Sequence, residues 1–209
     1  MRKLPISLPV SIQTLEHNGG VNKNIYYPQA FHMDNHTLQR NINHAIIHEV
    51  QTLINQQIED MPSTVVEMLG TYELKNNQRN VLSLTLTNYT YHYHAAHGMT
   101  YINALTFDLE KGKKSELEDL FKPNSNYRER LSAIIKRQIK QREIALLDDF
   151  TIIKPDQDFY VADKTLVIYF QLYELTAYAF GFPMFPISVY DIQDIINEDG
   201  PLGRLAENN

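Results

Sequence analysis

The sequence contains no cysteine. That absence excludes a disulfide framework, a thiol nucleophile and thiolate metal ligands, and it fits the cytoplasm and a cysteine-poor bacterial exterior equally well. No stretch approaches the roughly 18 consecutive apolar residues that would span a bilayer. A basic start at Arg2 and Lys3 is interrupted by Pro5 and Pro9 before an apolar region of signal-peptide length can form. The expectation is a chain without a membrane span or anchor, cytoplasmic or exported by a non-classical route. Positive charge is also short, with 19 Lys and Arg against 25 Asp and Glu. The net charge of -6 gives no support to a nucleic-acid binder. Neither a GxSxG elbow nor an HExxH helix motif is present, so no familiar signature nominates a catalytic group.

What is there suffices for a sizeable core: 209 residues, of which 43% are hydrophobic and 21% charged. Apolar residues alternate from Ile6 to Ile12, as in an edge strand among prolines. A Gly- and Asn-rich loop is expected over Glu16–Asn24, and a short strand over Ile25–Tyr27 that stops at Pro28. From about Asn35 to Gln57 the residues Leu38, Ile42, Ile46, Val50, Leu53 and Ile54 recur at helical spacing, with Asp34 or Asn35 placed to cap. His44 and His48 fall on the opposite, solvated face. Thr64–Leu74 and Val81–Tyr91 read as antiparallel strands, the second alternating Leu82, Leu84 and Leu86 with Ser83, Thr85 and Thr87. Tyr101–Leu109 is a further strand. A second amphipathic helix starts near Asn126, followed by a helical turn at Ala145–Phe150. A hairpin turning at Ala162–Thr165 comes next, then an aromatic loop, a short helix over Tyr190–Asn197, and a loosely held tail from Gly200.

These elements predict an α+β fold with mainly antiparallel sheets and two long amphipathic helices in two closely packed lobes. The lobes are placed at residues 1–95 and 96–197, with 198–209 as the tail. In the hairpin, Leu166, Ile168, Phe170 and Leu172 share the face expected to be core, and Val167, Tyr169 and Gln171 share the other.

Candidate site residues cluster after the hairpin. Tyr173, Glu174, Tyr178, Phe180 and Phe182 lie in one loop, where tyrosine joins apolar area to a polar tip. His97 is the accompanying imidazole. Glu174 is expected to orient the loop through backbone donors, with partner recognition and acid–base chemistry as alternatives. Asp108 and Asp158 are the carboxylates available to pair with it, although no spacing fixes their separation. No metal or cofactor is expected. The alternative to a polar loop is a zinc site made by His92, His94 and His97. The basic residues from Arg128 to Arg142 read as a solvated helix face, and the acceptor patterns at Asn35 and Asn88 as accidental.

Several segments carry a family resemblance. They are Ile25-Tyr26-Tyr27-Pro28 with Asn41-Ile42-Asn43, then Ala96-His97-Gly98, Leu105-Thr106-Phe107-Asp108-Leu109 and the Gly112 turn. Further on come Asp119-Leu120-Phe121, Asp158-Phe159-Tyr160, Leu166 to Gln171, Tyr173-Glu174-Leu175, Tyr178-Ala179 and Gly181-Phe182-Pro183. Over roughly residues 20 to 195 the chain resembles the RsiV-like family, which joins a 4163-type to a 3298-type domain of unknown function. That resemblance implies a non-catalytic module for a protein or cell-wall ligand, akin to the extracellular lysozyme-binding part of the namesake anti-sigma factor. It does not carry over the sigma-binding segment, the membrane helix or the catalytic domain of some relatives. A hydrolase or carbohydrate-processing enzyme using Glu174 with His97 is one alternative, and a structural or oligomeric protein is another. Neither the ligand nor the oligomeric state is fixed by these residues.

Overall fold

The computed structural model describes residues 8–59 and 65–207. The Pro62 and Ser63 connection and the first residues of the Ile6–Ile12 strand lie outside them. The fold is α+β, with three α-helices and mostly antiparallel sheets.

Strand β1 (Ser11–Asn18) pairs antiparallel with β2 (Lys23–Phe31). The expected loop shrinks to residues 19–22, because Asn18 pairs with Asn24. Pro28 does not end β2. Past Ile25 the strand's only strand neighbour among the described residues is β1, and an edge position tolerates a residue without an N–H.

Helix α1 (His36–Glu59) is capped by Asn35, whose Oδ1 accepts from Leu38 N at 3.0 Å. Its buried Leu38, Ile42, Ile46 and Leu53 share a core with Leu82, Leu84 and Leu86 of the sheet, leaving His44 and His48 exposed as the periodicity predicts.

β3 (Val65–Gln78) and β4 (Val81–His92) form a hairpin tighter than the expected Lys75–Asn80 connection. Arg79 and Asn80 both take left-handed φ, 52° and 55°, as a two-residue primed turn requires. β5 (Met99–Asp108) and the short β6 (Lys113–Lys114) complete a six-stranded sheet in the order β1-β2-β3-β4-β5-β6. Among the described residues only the β2–β3 contact is parallel. β5 lies beyond residue 95 yet pairs with β4 from Thr90 to Val81, so the sheet runs across the expected lobe boundary.

Helix α2 (Tyr127–Gln141) follows, then β7 (Phe159–Ala162), β8 (Thr165–Tyr169) and β9 (Met184–Ser188) in a three-stranded sheet. Leu131, Ile134 and Ile135 of α2 share a core with Leu166, Ile168, Phe170 and Phe185. Val167 and Tyr169 face the other way and are buried with Ile102 of the large sheet. The layers are thus α1, large sheet, small sheet and α2. The second polar row of β4 is buried between the sheets: Ser83 Oγ meets Thr106 Oγ1 at 2.8 Å and accepts from Val161 N at 3.1 Å.

Four local expectations differ from the structure. Residues 145–150 are irregular, tied by Leu147 N to Leu175 O. β9 forms within the expected loop, since its Pro186 lacks only a donor. The helix expected over Tyr190–Asn197 is a 3-10 turn at Val189–Ile192. The chain end is not loose: helix α3 (Pro201–Ala206) buries Leu202 and Leu205, and Arg204 pairs with Asp108 at 2.7 Å. Asn88 is buried, so its acceptor pattern is not presented at the surface.

Candidate functional site

The aromatic loop starts where β8 runs out, and Glu174 closes its first turn. The Gln171 carbonyl accepts from Glu174 N at 3.2 Å, while Glu174 Oε2 accepts from Gln171 N at 2.9 Å. Its Oε1 holds Lys154 Nζ at 2.6 Å, and that bond raises the lysine pKa. The carboxylate therefore fixes the turn. Between Gln171 and Glu174, Tyr173 is held at a left-handed φ of 64°, a conformation that survives only where its surroundings impose it.

The turn aims Tyr173 at His97. Its hydroxyl lies 3.2 Å from His97 Nε2, and His97 Nδ1 lies 2.9 Å from the Gly98 carbonyl. One tautomer satisfies both: Nδ1–H donates to the carbonyl, and Nε2 accepts from the hydroxyl. Tyr178, in a 3-10 turn over Tyr178–Phe180, stacks on the imidazole at 4.1 Å and donates to the same Gly98 carbonyl at 2.9 Å. Tyr173 and Tyr178 lie 5.6 Å apart, ring centre to ring centre. The result is a three-ring surface of which Tyr173 is 49% exposed.

Gly98 is required beneath it. A Cβ there would lie 2.2 Å from the ring of Tyr89, which burial pushes toward a higher pKa.

Not every candidate joins this surface. Phe180 is exposed beside it, whereas Phe182 packs between the sheets against the cluster of Tyr160 and Tyr169. Glu174 and His97 are committed to separate partners and do not bond to each other. His92 is buried on β4 with Nε2 at 3.0 Å from Gln57 O, while His94 is exposed at a left-handed φ of 64°. Two of the three imidazoles of the zinc alternative thus sit in different surroundings, one buried and one exposed. Among the described residues no group of three His, Cys, Asp or Glu side chains is placed to hold a metal.

Of the three acids, Asp158 and Glu174 are brought together through Gln171, and Asp108 is not. Gln171 Nε2 donates to Asp158 Oδ2 at 2.8 Å. Burial pushes Asp158 up to about 6; the Gln171 bond opposes that rise and the Glu174 charge adds to it. The same side chain spans β5: its Oε1 accepts from Ile102 N at 3.2 Å and its Nε2 donates to Ile102 O at 2.7 Å. Gln171 is the site's hub and was missed in sequence. Its only signal there was a polar residue ending an apolar strand.

Residues 118–190 match the DUF3298 family, described as a protein of unknown function. The DUF3298 match covers α2, the small sheet and the aromatic loop. Residues 16–100 match a second family, described as Deacetylase PdaC. A DUF3298-family member from Bacteroides fragilis superimposes with a TM-score of 0.70 at 12% identity, covering 96% of this chain and 99% of that one. A DUF3298-family protein from Pseudomonas aeruginosa gives 0.68 at 14% identity, covering 98% and 99%. At these identities the likeness shows a shared fold. No curated protein matches the chain.

Among the described residues no helix is long and apolar enough to cross a membrane.

Proposed function

We propose that the chain is a non-catalytic interaction module that recognises a protein or cell-wall ligand through Tyr173, His97, Tyr178 and Phe180. The observation that carries this reading is the exposed three-ring surface. It is held by hydrogen bonds to backbone and imidazole and is therefore ordered before any partner arrives. Preorganised aromatic area of this kind loses little side-chain entropy on binding. The RsiV-like resemblance of the same segments makes lysozyme the first partner to try, and cell-wall fragments the second.

Calorimetric titration with lysozyme and with soluble muropeptides, backed by capture from bacterial extract, tests the reading. Tyr173→Ala with Tyr178→Ala should weaken binding by about thirtyfold or more, the scale of about 2 kcal/mol for an interface anchor. Circular dichroism checks that the variant stays folded. Absence of any binding partner, or unchanged binding by the folded double variant, would overturn the proposal.

A hydrolase reading draws its support from the PdaC match alone. Acetate release from an N-acetylated oligosaccharide is its direct assay.

A further inference from the structure

The edge of β5 that faces away from β4 is filled at two rungs and open between them. Ile102 points its N–H and C=O away from β4, because both are taken by Gln171. Two rungs further along, Thr106 O points the same way and accepts from Ser115 N at 2.8 Å. The β4–β5 register runs without a shift between them, and strand geometry alternates with a period of two. Ala104 must therefore also direct its N–H and C=O outward, between two rungs that are filled. Among the described residues neither group has a partner on that side.

Ala104 lines a cleft of about 430 Å³, within the range of about 300–1,000 Å³ usual for ligand sites. Its walls carry Glu49, Glu116, Glu118, Asp156 and Asp158, with Lys114 the only cation lining it among the described residues, 3.2 Å from Glu116. Ser115, 2% exposed and also on the wall, has a hydroxyl with no hydrogen-bond partner. The cleft thus offers one free strand rung and an excess of carboxylates.

We propose that this cleft docks an extended peptide segment bearing a lysine or arginine. The peptide backbone pairs with Ala104 as an added strand residue. Its cation meets Glu49, Asp156 and Asp158.

Titration of ¹⁵N-labelled protein with an acetylated Ala-Lys-Ala-Ala amide, followed by NMR, tests this. Saturable shifts are expected at the amides of Ala104 and Ser115. Replacing lysine by norleucine should weaken binding at least tenfold, and so should N-methylation of the peptide amides. Glu49→Gln, which keeps the shape of the side chain, should weaken it about fivefold. No saturable shift at Ala104, or equal binding of the norleucine peptide, overturns the proposal. Putrescine binding as tightly as the peptide overturns the strand-pairing half of it, since a diamine has no amide to offer.

Discussion

The side-chain amide of Gln171 makes both bonds of a strand neighbour to Ile102, accepting from its N–H and donating to its C=O. A primary amide presents donor and acceptor side by side, as a peptide unit does. The same device recurs at Ala30, closed by Asn43, and at Val10, closed by Asn77. Three backbone positions are thereby satisfied without a further strand. Gln171→Leu should leave the Ile102 N–H unpaired and its C=O with the Tyr169 hydroxyl as remaining donor, at 3.2 Å, and cost about 1–3 kcal/mol. Urea denaturation measures the loss. Hydrogen exchange at the Ile102 amide should accelerate in the variant, and unchanged protection there would count against the role assigned to Gln171.

Such amide bonds explain what could and could not be read from the residues in order. Leu38, Ile42 and Ile46, and the row Leu82, Leu84 and Leu86, announce their faces by period, and Asn35 announces its cap by position. The aromatic loop was visible as composition. Its assembly was not, because the pairing of His97 with Tyr173 and Tyr178 joins residues about eighty positions apart through backbone turns that no short pattern encodes. β9 was hidden by Pro183 and Pro186. α3 was hidden by its polar surroundings, since a single Arg204 reaching a buried acid leaves no periodic trace.

That arginine supports a second expectation. Asp108 is 1% exposed, and its Oδ1 accepts from Glu110 N, Lys111 N and Arg204 Nη2. Its Oδ2 is buried without a partner among the described residues. Arg204→Met should strand that charge and cost about 3–5 kcal/mol, whereas adding Asp108→Asn should recover part of the loss. The denaturation midpoints of the single and double variants decide. A double variant no more stable than Arg204→Met would show that packing of α3, and not the charge, dominates.

Stability should also respond to Asp158. Its pKa rises from the ordinary 3.8 to about 6 on folding, so the folded chain holds this proton more tightly than the unfolded one. The group therefore favours folding fully below the unfolded value, and that contribution is lost as pH climbs through about 6. The shift corresponds to about 3 kcal/mol. Asp158→Asn retains an acceptor for Gln171 and cannot ionise, so its stability should gain on the wild type by about that amount between pH 4 and pH 7. Paired urea melts across this range measure the difference, and a flat difference refutes the assignment.

Gly98 links stability to the proposed recognition surface. Its carbonyl receives both His97 Nδ1 and the Tyr178 hydroxyl, and its missing side chain admits the Tyr89 ring. Gly98→Ala would place a methyl 2.2 Å from that ring, so the ring or the backbone must move. Overpacking of this kind costs about 1–3 kcal/mol. If the carbonyl shifts, the imidazole and Tyr178 shift with it, and partner binding should fall along with the melting temperature. Tyr89→Leu in the same chain relieves the clash without touching the three rings. Recovery of both stability and binding in the double variant is the expected outcome; recovery of stability alone would separate the Gly98 carbonyl from recognition.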